Sequence, residues 1–264
     1  MSTDDQKILS KEQIDLVISL YSRGDYHEAI TQIKELNKKY PNVPLLFNII
    51  GACYKSLGQL NHAVKMFESA VNLKSDYVEA YKNLGITFKD LNRLNDAVKS
   101  FEKAIEIDSN NAVLHFYLAN IFEELGQFEN SIIHHQNAIE INPKFYESFN
   151  NLGNVFNRHK KIGDAIKNYQ NAIEINPNFP EAYNNLGNIY KDLGKFKIAI
   201  KNYKKALEIN QDFAEAFYNL GTVQQKLRLL EDSIVSFNNA IKININFIEA
   251  HNSLGSSLNL LGHH

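Results

Sequence analysis

The chain has 264 residues, 44% apolar and 22% charged, with 28 basic and 30 acidic side chains and a formal net charge of -2. That balance creates no global positive field, which argues against recruitment of nucleic acid or anionic lipid by long-range attraction. No apolar run reaches the roughly 18 residues of a membrane-spanning helix, and the single cysteine, Cys53, has no partner for an internal disulfide.

The amino end, MSTDDQKILSKEQ, carries acids where an export signal would be basic and lacks the apolar stretch that should follow. Residues 1–9 are therefore read as an extension, and the chain as soluble and cytoplasmic. From Ser10 the sequence takes up a period of 34 residues, plainest where YESFNNLGNVFNRHKKIGDAIKNYQNAIEINPNF is followed at once by PEAYNNLGNIYKDLGKFKIAIKNYKKALEINQDF. A fixed period of this length marks a repeat array, in which length counts units, not domains. Seven units abut without insertions, at residues 10–43, 44–77, 78–111, 112–145, 146–179, 180–213 and 214–247. Residues 248–262 repeat only the first half and should form a capping helix. With His263 and His264 read as a tag remnant, this end looks like a cut inside a longer chain; a native end with an unpaired helix is the alternative.

Numbering places from the first residue of each unit, apolar residues recur at helical spacing over about 14 residues, a turn follows, and a second helical pattern completes the period. Phe149, Leu152, Val155 and Phe156 share one face of the first helix; Ala165, Ile166, Tyr169, Ala172 and Ile173 share one face of the second. Gly24, Gly58, Gly126 and Gly194 fall in the turn, where a left-handed residue ends the first helix cheaply, and Asn92 is the next best choice. Lys160 and Arg228 depart from this pattern and predict less regular turns. Gly51, Gly85, Gly153, Gly187 and Gly221 are expected to face Ala63, Ala97, Ala165, Ala199 and Ser233, because helices approach closely only where side chains are small. Pro41, Pro143 and Pro177 should stop the second helix. Gln13 and Val17 make the first unit atypical, as an end cap would be.

The order of types (aromatic, Leu-Gly, aromatic, Ala, aromatic, Ala, Pro) resembles the tetratricopeptide repeat, with Phe or Tyr where that family often has Trp. The match runs over residues 10–261. The resemblance implies an all-α fold, a right-handed α-solenoid superhelix of helix-turn-helix repeats. It also implies that the first helices line a concave side on which such arrays hold an extended peptide.

On the first-helix face turned from the second helix, asparagines recur: Asn83, Asn151, Asn185 and Asn219 at place 6, Asn120, Asn154 and Asn188 at place 9, and Asn48, Asn150, Asn184 and Asn252 at place 5. An amide has both donor and acceptor, so a row of them suits a peptide backbone whatever its side chains. The place-6 row resembles the asparagine ladder in the repeat domain of O-linked N-acetylglucosamine transferases. A general richness in asparagine, visible off this face at Asn168, Asn171 and Asn202, supplies the competing explanation. Lys55, Lys89, Arg158, Lys191 and Lys226 lie near the ends of first helices, either as solvated partners of the helix dipole or as attractors of an acidic ligand. The lysine–asparagine clamp of chaperone-binding relatives is not supported, since Lys82 is followed four residues later by Ile86.

No catalytic, metal or cofactor site is expected. His115, His134, His135 and His251 read as packed side chains, His62 and His159 as solvated, and no set of zinc ligands at workable spacing appears. Cys53 reads as a buried, inert thiol. Each Leu-Gly lies inside a helix, so no phosphate-cradling loop is formed. The expected function is a non-enzymatic scaffold that binds a peptide or partner protein. The alternatives are a substrate-docking arm of a larger glycosyltransferase, sulfotransferase or oxygenase, and a homo-oligomer formed through the half repeat, where Leu254 and Leu258 would be exposed.

Overall fold

The computed structural model describes residues 9–262, so most of the amino-terminal extension and the reading of residues 263–264 as a tag lie outside it. Among the described residues every regular element is an α-helix. They run in order as α1 (Lys11–Arg23), α2 (Tyr26–Lys39), α3 (Pro44–Ser56), α4 (Leu60–Leu73), α5 (Val78–Asp90), α6 (Leu94–Ile107), α7 (Ala112–Glu124) and α8 (Phe128–Ile141), then α9 (Tyr146–Arg158), α10 (Ile162–Ile175), α11 (Pro180–Asp192), α12 (Phe196–Ile209), α13 (Ala214–Lys226), α14 (Leu230–Ile243) and α15 (Ile248–Leu261). Odd helices are the first of each pair and even helices the second. The chain divides into two compact units, one holding α1–α8 and the other α9–α15. Within each unit consecutive helices pack together, and first helices of neighbouring repeats also touch. The fold is an all-α solenoid.

The turns between paired helices all carry a left-handed residue, with φ at 84° for Gly24 in the first. Gly58, Gly126 and Gly194 hold φ at 71°, and Asn92, Lys160 and Arg228 take 57°, 59° and 61° at the same place. The irregularity expected at Lys160 and Arg228 is therefore absent, because packing of the helix pair imposes the left-handed residue whatever the side chain, at a cost of about 1–2 kcal/mol. Proline is equally dispensable at the far end. Second helices stop at the same place with or without it, and at Asn142, Asn176, Asn210 and Asn244 the side-chain oxygen accepts from the backbone N–H two residues on at 3.0–3.1 Å, a turn that competes with further helix.

The close approach inside each pair has a different partner from the alanine expected. A Cβ built on Gly51, Gly85, Gly153, Gly187 or Gly221 would lie 2.6–2.7 Å from the ring of Phe67, Phe101, Tyr169, Tyr203 or Phe237. The glycine is the seat of an aromatic ring from place 24 of the same repeat, and each of those rings is at most 1% exposed. Ala63, Ala97, Ala165 and Ala199 are themselves fully buried. Where place 8 carries a side chain, place 24 carries no phenyl or phenol: Val17 goes with Ile33, and Ala119 with His135. In the first repeat a capping box adds a polar lock, with Gln13 N–H donating to Ser10 Oγ and Ser10 N–H to Gln13 Oε1.

Gly255, at the same place on α15, has nothing within 4 Å of its Cβ position. The same substitution should therefore have opposite signs at two equivalent glycines. Gly187→Ala forces the Tyr203 ring to move and should destabilise the chain by about 1–3 kcal/mol. Gly255→Ala should be neutral or stabilising by up to about 1 kcal/mol, as expected for an open helical site. Thermal unfolding of the two variants side by side measures the contrast, and an equal loss in both would contradict the ring-on-glycine contact.

Candidate functional site

The place-5 and place-6 asparagines first bind one another. Asn83 Nδ2 donates to Asn48 Oδ1 at 3.0 Å, Asn185 Nδ2 to Asn150 Oδ1 at 3.0 Å, and Asn219 Nδ2 to Asn184 Oδ1 at 3.1 Å. Each bond joins a first helix to the one before it in the same unit, so the ladder is a set of staples between repeats. Asn48, Asn150, Asn184 and Asn219 are buried; Asn83, Asn151 and Asn185 are half-buried and Asn252 is exposed. An amide that spends one N–H on a staple keeps a second for a ligand. Removing a buried staple leaves its partner unsatisfied, at a cost of about 1–3 kcal/mol, so binding and stability are coupled along this row. Asn184 also donates to Glu215 Oε1 at 3.1 Å, and Asn151 Oδ1 accepts from Asn150 Nδ2 at 3.3 Å.

The place-9 amides are held differently. Asn154 Oδ1 accepts from the Tyr169 hydroxyl at 2.7 Å and from Asn185 Nδ2 at 3.2 Å. Asn188 Oδ1 accepts from the Tyr203 hydroxyl at 2.8 Å and from Lys191 Nζ at 3.3 Å. Burial pushes the Tyr203 phenol well above its ordinary range, so it stays a neutral donor. Sequence reasoning placed Tyr169 and Tyr203 in the core and missed this second use, although a hydroxyl on a ring that phenylalanine replaces in other repeats was a visible signal. A cavity of about 240 Å³ opens here, lined by Asn154, Asn157, Arg158, Tyr169, Asn185 and Asn188. Asn120 is half-buried on α7.

The basic residues divide by unit. Lys55 pairs with Asp90 at 3.1 Å and Lys89 with Glu124 at 2.8 Å, each reaching from place 12 of one first helix to place 13 of the next. Their charge is balanced within the first unit. In the second unit Lys191 occupies place 12 and Lys226 stands at place 13 of the next repeat. Burial holds Lys191 below the ordinary lysine range; Asp192 and Glu215 oppose that shift and Lys226 adds to it. Lys226 and Arg158 are exposed, with Lys226 Nζ 6.0 Å from the centre of the Phe196 ring.

Among the described residues no group of three or more His, Cys, Asp or Glu could hold a metal ion, and no helix is long and apolar enough to cross a membrane. Helix pairs stapled at a 34-residue pitch, with polar first-helix faces, define a repeat protein built for contact with other molecules. Residues 154–194 and 187–227 match the family described as TPR repeat, and residues 46–77, 78–111, 100–132 and 214–245 match families described as tetratricopeptide repeat. The chain belongs to the tetratricopeptide-repeat family. No curated protein sequence matches it. Two crystal structures of MamA are similar at 28% and 27% identity, each with a TM-score of 0.58, covering 63% and 65% of this chain and 97% and 94% of theirs. The crystal structure of the APC/C hetero-tetramer Cut9-Hcn1 has a TM-score of 0.70 at 17% identity, covers 96% of this chain and is spanned over 50% of its own length, a likeness of fold.

The remaining candidates are structural. Cys53 is buried, and burial raises its thiol to about 11. His251, expected to pack, is exposed, with Nε2 2.9 Å from the Ile245 carbonyl; no second helix lies over that face of α15 among the described residues. Three histidines do pack in the fourth repeat. His115 Nδ1 lies 2.9 Å from His134 Nδ1, His134 stacks on Phe122, and His135 meets Phe116 edge-on. Burial is the main cause that lowers His134 to about 4 and His135 to about 3, and it lowers His115 too. The unfolded chain takes up protons below the ordinary histidine value of 6.5 that the fold refuses. Their contribution is thus fully present above 6.5 and is lost as pH falls towards 4 and 3, at about 1.4 kcal/mol per pH unit per refused proton. Hydrogen exchange in α7 and α8 should accelerate between pH 7 and pH 5 relative to α3 and α4, after correction for intrinsic rates. Equal protection in both pairs would contradict this.

Proposed function

We propose that this protein is a non-enzymatic scaffold that holds an extended peptide segment of a partner along the first helices, with the second unit as the principal contact. The carrying observation is the polar cavity between α9 and α11, whose walls are amides and an arginine fixed to rigid helices. Asn83, Asn120, Asn151, Asn154, Asn185, Asn188 and Asn219 supply hydrogen bonds indifferent to the ligand's side chains. Arg158 lines the cavity, and Lys191 and Lys226 add attraction for acidic segments; Lys55 and Lys89 carry less because each is held in an ion pair with an acid one repeat on. The interaction surfaces implied by the family, and its likeness to MamA, support the reading. Peptides enriched from a random library on the immobilised chain should lose at least about tenfold in affinity when Asn154→Ala and Asn188→Ala are added to a Tyr169→Phe, Tyr203→Phe background, in which no buried phenol loses its acceptor, with little change in melting midpoint relative to that background. Failure to enrich any peptide, or undiminished affinity in the variant, would remove the proposal.

Self-association through α15 is a second reading with its own observation. Leu254 is more exposed than its buried counterparts Leu84, Leu118, Leu152, Leu186 and Leu220, Ile248 is 69% exposed, and the ring seat at Gly255 is open. An apolar face of this kind is covered in symmetric assemblies by a second copy. Light scattering should then show mass rising with concentration in the wild type and less so in Leu254→Glu; a monomer throughout would refute it.

A further inference from the structure

On its second-helix side the sixth repeat departs from the others. Place 19, the third residue of each second helix, is Glu28, Asp96, Asp164 or Asp232 in four repeats and His62 or Asn130 in two more. An acid in the first turn is favoured by the helix dipole. In α12 that place holds Ile198, 43% exposed, with exposed Lys197 before it. Neither the dipole nor the core gains from the exchange.

A lone exposed isoleucine needs no explanation, but Ile198 stands on the wall of a cavity. That cavity, of about 630 Å³, is lined by Tyr183, Leu186 and Tyr190 of α11 and by Ile198, Lys201 and Lys205 of α12. Gln170 borders it from α10, so three helices of the second unit frame one cleft. Tyr183, Leu186 and Tyr190 recur at helical spacing on one face of α11, and both tyrosines are half-buried. The volume falls within the roughly 300–1,000 Å³ usual for ligand clefts.

The rim is basic. α12 exposes Lys197, Lys201, Lys204 and Lys205 against one acid, Glu208. Glu208 also lines the cavity, and it holds Lys205 at 3.0 Å. No other acid lines it: Asp164 and Glu174 of α10 and Glu181 and Asp192 of α11 stand elsewhere on their helices. Lys197 and Lys201 have no ion-pair partner among the described residues. The third repeat has the same lysines at places 22 and 26, Lys99 and Lys103, but there Asp96 at place 19 pairs with Arg93 at 2.7 Å and Lys103 with Glu106 at 2.6 Å. In the sixth repeat an isoleucine replaces the acid, and Lys201 is left uncompensated beside an apolar cleft.

We propose that this cleft docks an acidic amphipathic helix of a partner protein, with its aliphatic side chains against Tyr183, Tyr190 and Ile198 and its acids towards Lys201. The α12 wall runs from Ile198 to Glu208, about 15 Å of helix, and an apolar stripe at i, i+3 or i+4, and i+7 on the docked helix has the same spacing as Tyr183, Leu186 and Tyr190. The acids follow from charge complementarity with α12, and Lys197 adds attraction at longer range. The site lies on second helices and does not rest on the peptide reading, which concerns the first.

The test uses the full chain and a fluorescein-labelled fourteen-residue helix of alanine and glutamine, with leucine at positions 4, 8 and 11 and glutamate at 1, 5 and 12, read by anisotropy at low and physiological salt. Replacing the three glutamates by glutamine should weaken binding about fivefold at low salt and less at physiological salt. Ile198→Asp restores the acid that other repeats carry, so it should weaken binding about tenfold without lowering the melting midpoint. Lys201→Gln should remove most of the preference for glutamate. Arg158→Gln, in the first-helix cavity, should leave binding unchanged. No binding of the glutamate helix, or binding that survives Ile198→Asp, overturns the proposal and leaves the first-helix reading standing. Equal binding of a form with proline at position 8 overturns the helical occupant. Capture by phosphatidylserine vesicles in place of the peptide overturns the protein partner, and a mass that rises with concentration in the wild type but not in Ile198→Asp gives the cleft to a second copy instead.

Discussion

The contact on which the rest depends is an aromatic ring resting on a helical glycine. With a side chain at place 8, the ring at place 24 would have to move, because the added carbon falls 2.6–2.7 Å from it, inside the distance at which carbon atoms repel. The ring cannot leave without opening the centre of the pair, and it is among the most buried side chains in the chain. This single fit sets the depth and the rotation of each first helix against its second. Its exceptions obey the same volume rule. His135 is smaller than a phenyl ring and stands opposite Ala119, and Val17 is matched with aliphatic Ile33. Large and small exchange places while their sum is kept, as close-packed interiors require.

Rotation is what makes the outer face useful. Once place 8 points at the ring, places 6 and 13 lie on the far side of the first helix and place 9 on its flank, while place 5, one turn before place 8, is buried at Asn48, Asn150 and Asn184. Repetition then brings the place-6 amide of one repeat to the place-5 amide of the one before it, at 3.0–3.1 Å. The row of asparagines is thus a consequence of the core contact and a brace on the stacking of repeats. A surface braced in this way is preorganised, and rigid donors lose little entropy when a ligand arrives. The polar staples are weaker than the ring contact, worth about 1 kcal/mol net each, but they orient groups that a purely apolar junction would leave free.

Much of this was legible in the sequence, and what was not has identifiable causes. The 34-residue period, the helix pairs and the turn glycines follow from local pattern, and the helix starts at Pro44, Val78, Ala112, Tyr146, Pro180, Ala214 and Ile248 keep that spacing. Lys160 and Arg228 misled because propensity describes a residue in isolation, whereas their backbone is held by two helices already packed. The glycine was paired with alanine because small residues suggest small neighbours; the pairing that matters, absence of a side chain against a ring, shows up only when places 8 and 24 are compared across repeats. The asparagines looked available because a face can be read from periodicity, but the bond from place 6 back to place 5 joins residues 35 apart. His251 was assigned to a core by its place, although burial there depends on the second helix that would lie over it.

The two units share a fold and differ in what they do with charge. In the first, each lysine that projects between neighbouring first helices finds an acid one repeat on, and the histidines of the fourth repeat are held neutral by burial. In the second, Lys226 stands one repeat on from Lys191, where Asp192 and Glu215 oppose the effect of burial on it, and the tyrosine hydroxyls hold the place-9 amide oxygens. Neither feature improves packing: phenylalanine would fill the seats, and an acid at residue 226 would give the ion pair used elsewhere. The first unit thus settles its place-12 lysines in ion pairs, and the second differs from it at the same places and in the hydroxyls that hold its place-9 amides.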